Sequence, residues 1–95
     1  MRARNQRVEA ENRKRICEYL DDHPCVDCGE DDIVVLEFDH LRDKKYAVGQ
    51  MMRDARWDRI MAEIAKCEVV CANCHKRRTA QRRGSYRISY SASAT

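Results

Sequence analysis

The 95-residue chain holds six cysteines and three histidines, and their spacing sorts most of them by chemistry. Cys25 and Cys28 form one Cys-x-x-Cys pair, followed by Gly29, and Cys71 and Cys74 form a second that runs straight into His75. Four thiolates close a tetrahedral zinc site with no open position, so this quartet builds structure. Between the pairs, Asp39-His40 ends a strand-like run. Asp39 offers a hard oxygen and His75 an imidazole, a pair that suits Mg²⁺, Mn²⁺ or another divalent ion with open positions. An unperturbed imidazole titrates near ~6.5, which suits His40 to the work of a general base. Hydrolysis of a phosphodiester needs an activated water, charge stabilisation on the non-bridging oxygens and help for the leaving oxygen. His40 can supply the first, and an ion held by Asp39 and His75 the other two. Thr79 lies one helical turn after His75 and can hydrogen-bond a phosphate; Arg78 can neutralise the same phosphate. Each feature alone has a plainer reading. An Asp-His at a strand end is commonly a surface pair, and a His after Cys-x-x-Cys commonly decorates the knuckle or is an alternative zinc ligand.

Those residues need a scaffold, and the chain is short. It has room for one domain, and a domain of this size buries little apolar surface, so it calls for a staple. No apolar signal-peptide core follows Met1, and no apolar stretch is long enough to span a bilayer. The expected location is therefore a reducing cytoplasm, with no membrane partner, where paired Cys-x-x-Cys read as metal ligands and not as disulfides. The formal net charge of +3 conceals an asymmetry. Residues 1–15 carry six basic and two acidic side chains, and residues 76–95 carry six basic and no acidic one. The segment between them is acidic. Cationic ends around an acidic middle suit a polyanion such as DNA, through phosphate neutralisation and counterion release. Lys76, Arg77, Arg78, Arg82 and Arg83, with Thr79, are the candidate nucleic-acid contacts; the plainer reading is a solvated helix face.

Residues 5–20 lack glycine and proline and predict a helix with a thin apolar stripe of Val8, Ile16, Tyr19 and Leu20. Pro24 ends it. Residues 33–38 are β-branched and aromatic and predict a strand, with Leu36 and Phe38 on one face and Glu37 and Asp39 on the other. By the same alternation His40 returns to the Leu36/Phe38 side, so Asp39 and His40 approach one water only if the backbone leaves β geometry there. Residues 46–48 read as a short return strand closed by Gly49. Trp57, Ile60, Met61 and Ile64 recur at helical spacing and predict an amphipathic helix covering the sheet. Cys17 and Cys67 read as small buried hydrophobes. Residues 74–83 predict a short helix with Gly84 as its stop, and the Ser/Ala-rich residues 85–95 a flexible tail.

Three stretches, Cys25-x-x-Cys28-Gly29, Leu36-Glu37-Phe38-Asp39-His40-Leu41, and residues 66–75 with Cys71, Cys74 and His75, together resemble the HNH nuclease family, the ββα-metal or His-Me finger fold. Within it the match is to small zinc-stapled endonucleases of phage and bacterial genomes, over residues 19–79. The resemblance implies an α+β fold, a small ββα-metal domain stapled by a four-cysteine zinc site, here with an N-terminal helix. It implies metal-dependent DNA endonuclease activity, nicking or double-strand. His40 would be the general base, Asp39 and His75 the ligands of a catalytic Mg²⁺ or Mn²⁺, and Cys25, Cys28, Cys71 and Cys74 the structural zinc ligands. In many members an asparagine between the strands orients the base; Asn73 stands inside the second knuckle instead and is expected to support its turn. Thr79 stands where some members carry a further histidine. The expected organisation is a basic N-terminal arm (1–18), the nuclease domain (19–83) and the tail (84–95), working as a homodimer or beside a larger phage or bacterial nucleic-acid machine. A zinc-ribbon-like module that binds nucleic acid without cutting it is the alternative; it explains the cysteines and the basic ends but leaves Asp39, His40 and His75 without a task.

Overall fold

The computed structural model describes residues 2–93. Helix α1 (Arg2–Asp21) follows from a run without glycine or proline. Its inward face carries Asn12, Ile16, Tyr19 and Leu20. The helix closes where Asp22 and His23 donate to the Tyr19 and Leu20 carbonyls, just before Pro24 removes the next donor. Asn12 is the exception on this face. It is 3% exposed, and its Nδ2 donates to the Met52 and Ala55 carbonyls, each at 3.0 Å. One amide thus ties α1 to a loop about forty residues away and satisfies two carbonyls at once.

The strand expected from Ile33 begins later. Asp32 accepts from the Val34 N–H at 3.0 Å and caps a single 3₁₀ turn, Ile33–Val35. Strand β1 is Leu36–His40. Its partner is not residues 46–48, as the sequence suggested. Those residues lead into a short helix, α2 (Val48–Met51), whose Val48 is buried against Ile60 and Ile64. The second strand is instead β2 (Cys67–Cys71), antiparallel to β1, with Leu36 opposite Cys71, Asp39 opposite Glu68 and His40 opposite Cys67. Two adjacent valines, Val69 and Val70, leading to a candidate zinc-binding cysteine outcompete a three-residue candidate next to a glycine.

Between the strands, α3 (Trp57–Ile64) presents Ile60 and Ile64 to the core, as its spacing predicts. After β2 the chain enters α4 (Ala72–Arg83), with Cys71 as N-cap. Gly84 takes the left-handed conformation (φ +65°) that closes a helix C-terminus, and the Ser85 N–H returns to the Ala80 carbonyl at 2.9 Å. The expected flexible tail is helical over α5 (Tyr86–Ser93), though none of its residues is buried. With neither glycine nor proline after Gly84, nothing in this segment breaks a helix.

The two faces of the sheet differ in character, although the buried Val70, opposite Glu37, puts one apolar side chain among the acids of the second face. Leu36, Phe38 and His40, with Cys67, Val69 and Cys71 opposite them, face α1 and α3. Ile16, Tyr19 and Phe38 join the two halves of that apolar core. Glu37, Asp39 and Glu68 alternate to the other face, where α4 lies. Two antiparallel strands with a helix across one face are therefore the unit that positions the candidate site. Among the described residues, no helix is long and apolar enough to cross a membrane.

Candidate functional site

The four paired cysteines converge. Cys25, Cys28, Cys71 and Cys74 bring their sulfurs within 4.8 Å of one another, and the Cys28 and Cys71 sulfurs are 3.7 Å apart. Tetrahedral zinc at ~2.3 Å from each sulfur requires sulfurs about 3.8 Å apart, so the cluster suits such an ion. Local backbone geometry builds it. Gly29, at φ +82°, folds its N–H back to the Cys25 carbonyl at 2.8 Å. The Val26 N–H donates to the Val69 carbonyl at 3.0 Å, hanging the first knuckle on the free edge of β2. Cys71 ends β2 and caps α4, its sulfur accepting from the Cys74 N–H at 3.4 Å. As thiols alone the sulfurs compete. Burial opposes ionisation at Cys25, but backbone N–H groups of Cys71, Cys28 and Asp27 outweigh it and hold Cys25 down to about 6. Burial, and then the neighbouring sulfurs, push Cys74 up to about 12. A cation that lets all four ionise removes that competition. Cys17 and Cys67 stay outside the cluster. Contrary to the sequence reading Cys17 is exposed, on the side of α1 away from Ile16, Tyr19 and Leu20; Cys67 is half-buried and donates its S–H to the Glu63 carbonyl at 3.4 Å.

The cysteine cluster lies at the start of α4, and that helix carries His75, Arg78, Thr79 and Arg82. The spacing of His75, Arg78 and Arg82 sets them along one helix face over β1. Asp39, 2% exposed, is the centre of the arrangement. Arg82 grips its carboxylate with two bonds, 2.8 Å to Oδ1 and 2.7 Å to Oδ2, and Arg78 adds a third at 2.8 Å. His75 Nε2 lies 3.5 Å from Asp39 Oδ1, while His75 Nδ1 lies 2.7 Å from Glu37 Oε1. The Arg82 fork, opposed by burial and helped by Arg78, holds the Asp39 carboxyl down to about 2.

The His75 geometry has a chemical consequence. A carboxylate only accepts, so the short bond to Glu37 requires the proton on Nδ1. Nε2 then presents either a lone pair toward a carboxylate oxygen, which calls for a cation between them, or a second proton. A histidine whose far nitrogen is held by a carboxylate is the usual support for a metal-ligating imidazole. Beside it Glu37, Ala72, His75, Lys76 and Thr79 line a shallow open recess of about 230 Å³. Thr79 is therefore on the His75 side, as its spacing predicts. Two larger hollows among the described residues lie elsewhere, along α2 and α3 and between α1 and residues 54–58, and neither borders His75 or Asp39.

His40 stands apart. The ladder runs unbroken through its pairing with Cys67, so β alternation turns its ring to the opposite face from Asp39. There His40 Nε2 is buried with no hydrogen-bond partner among the described residues, 3.6 Å from Glu63 Oε1. The departure from β geometry that a shared water at Asp39 and His40 requires does not occur. Glu63 itself was missed in sequence. It is a buried acid on the inner face of α3, accepting from Lys66 Nζ at 2.9 Å and from the Lys45 and Tyr46 N–H groups at 2.9 and 3.2 Å. The Lys66 ammonium, then the Lys45 N–H, hold it down to about 2. Its signal was an acid among Ile60, Ile64 and Cys67 on an otherwise apolar stripe.

The basic set also divides. Arg78, expected to meet phosphate, is turned inward. It clasps Asp27 with two bonds of 2.7 and 2.8 Å, Asp39, and Glu68 at 2.9 Å, and these acids raise its pKa further. Glu68 and Asp39 face each other across the ladder, where like charges repel, and Arg78 sits between them. Arg77 donates to the Cys74 sulfur at 3.7 Å. Lys76, Arg77 and Arg83 are exposed, and Arg82 is half-exposed. Asn73 is exposed in the first turn of α4. No family model, no curated protein and no solved structure matches this chain.

Proposed function

We propose that this chain is a small metal-dependent endonuclease of HNH, or ββα-metal, type, acting on DNA. The observation that carries the reading is the line Glu37–His75–Asp39 on the α4 face of the sheet, held in place by a cluster of four cysteines suited to zinc. Asp39 Oδ1 and His75 Nε2 are the donors for a divalent ion, Mg²⁺ or Mn²⁺, and Glu37 fixes the imidazole that faces it. Such an ion, when bound, neutralises the phosphate oxygens and assists the leaving group. Thr79 borders the same recess and can donate to a phosphate oxygen. Lys76, Arg77 and Arg83 offer sequence-independent phosphate contacts. His40 remains the proposed base on its chemistry, and its orphaned Nε2 is consistent with a ring whose working partner is elsewhere. Its ring reaches the α4 face only when the Asp39–His40 peptide turns out of the ladder.

One observation favours a second reading. With Asp39 fully occupied by two guanidiniums and His40 across the sheet, the same scaffold can serve as a zinc-stapled nucleic-acid-binding module. Cleavage of supercoiled plasmid by zinc-loaded protein with Mg²⁺ or Mn²⁺, beside His75→Ala and His40→Ala proteins of equal zinc content, separates the two. Ion-dependent cutting lost on His75→Ala supports the nuclease; DNA binding without cutting supports the module.

A further inference from the structure

Two arginines hold Asp39, and they are not equivalent. Arg78 is 17% exposed and anchored by Asp27 and Glu68 besides Asp39, so nothing short of breaking the α4 contact removes it. Arg82 is 49% exposed, lies in the last turn of α4, and has Asp39 as its one carboxylate among the described residues. Its fork covers both oxygens of the carboxylate, including the Oδ1 that faces His75 Nε2. An ion cannot share that oxygen with a guanidinium at 2.8 Å without strong repulsion between two cations. A phosphodiester presents two non-bridging oxygens that a guanidinium fork can grip as it grips a carboxylate, and a nucleic acid offers many such groups.

We infer that Arg82 is a displaceable cap on Asp39, drawn off by a nucleic-acid phosphate, so that the ion site becomes competent only when nucleic acid is bound. This rests on reading Asp39 and His75 as ion ligands. Arg82 acts through Asp39 and is a positioning residue. Arg78 stays behind, keeping the buried carboxylate ionised and aimed while the cap is away. The coupling is reciprocal: the ion tightens nucleic-acid binding by the factor by which nucleic acid tightens the ion.

The test is Mn²⁺ binding to the zinc-loaded full chain, read from the electron paramagnetic resonance of free Mn²⁺, with and without a short DNA duplex and with the signal of duplex alone subtracted. Without DNA, Arg82→Ala should bind Mn²⁺ about tenfold or more tightly than wild type, within the usual range of coupling between sites. Arg82→Lys, with one point charge in place of the fork, should fall between them, which guards against a folding defect in the alanine protein. Adding duplex should close most of the gap for wild type and change Arg82→Ala little. Equal affinities in wild type and both variants, or no gain for wild type on adding duplex, would overturn the cap while leaving the ion site standing. Mn²⁺ binding by Arg82→Ala that survives a further His75→Ala change would instead overturn the ligand assignment itself, and the cap with it.

Discussion

Replacing Arg78 by alanine tests whether the basic run of α4 is a structural clasp or a free cationic face. The guanidinium binds three carboxylates from separate segments: Asp27 in the first knuckle, Asp39 in β1 and Glu68 in β2. Asp27 and Glu68 are 37% and 41% exposed, so each ion pair contributes in the surface range of about 0.2–1 kcal/mol. The Asp39 bond is buried and charge-assisted, and its loss costs about 1.5–3 kcal/mol. The larger penalty for an unpaired buried charge does not arise, because Arg82 keeps its fork. The total is about 2–5 kcal/mol, which in a domain of this size lowers Tm by about 8 °C or more. Thermal and urea unfolding of zinc-loaded wild type, Arg78→Ala and Arg78→Lys measure it, with lysine recovering less than half because it lacks the planar fork. The pH dependence is fixed in sign. Asp39 is held down to about 2, so its share of stability is full above about pH 4 and is lost as pH falls through 2. The gap between wild type and Arg78→Ala should narrow over that interval. A cost below about 0.5 kcal/mol, the range of neutral surface changes, would show a solvated side chain and refute the clasp.

If the four-cysteine cluster holds zinc as proposed, its removal with a strong chelator, or Cys25→Ser, should abolish the cooperative unfolding transition, because metal binding at such a site acts as folding energy; an apo protein with unchanged circular dichroism would contradict this. Asn12→Ala should destabilise by about 1–3 kcal/mol by stranding the Met52 and Ala55 carbonyls, measured as a shift in the urea midpoint at constant slope. Glu63 is held down to about 2, so the advantage of wild type over Glu63→Gln should be full above about pH 5 and shrink as pH falls from 4.5 toward 2; urea midpoints across that range that diverge on acidification would reverse the expected sign. If the chain binds DNA as proposed, neutralising Lys76 and Arg83 together should weaken duplex binding and reduce the slope of log K against log salt by about 2, whatever the sequence of the duplex; an unchanged slope would refute their role as phosphate contacts.

The quartet of cysteines was readable because metal-ligand spacing is a local property, and α3 because Ile60 and Ile64 recur at the helical period. The alternation Leu36, Glu37, Phe38, Asp39 likewise predicts the two faces of β1, and its continuation to His40 is what separates His40 from Asp39. The pairing of β1 was not readable. Residues 46–48 and 67–71 both look like strands, and the choice between them depends on where Cys71 must go to meet Cys25, a constraint carried by the assembled cluster and by no local pattern. Arg78 was misjudged for a related reason: a basic run has the same composition whether it faces solvent or acids. The usable signal was the matching of two periods, with His75, Arg78 and Arg82 on one helix face and Glu37 and Asp39 on one strand face. Asn12 and Glu63 carried a weaker one, each a polar residue on an apolar stripe.

The central claim concerns the Glu37–His75–Asp39 line, and plasmid nicking tests it most directly. Zinc-loaded protein should convert supercoiled plasmid to nicked or linear form with Mn²⁺ or Mg²⁺, lose that activity with EDTA under conditions that leave the zinc in place, and lose it on His75→Ala without loss of zinc or DNA binding. Folded, zinc-loaded wild-type protein that binds the plasmid and leaves it intact with either ion, or cuts it equally well without His75, would contradict the account.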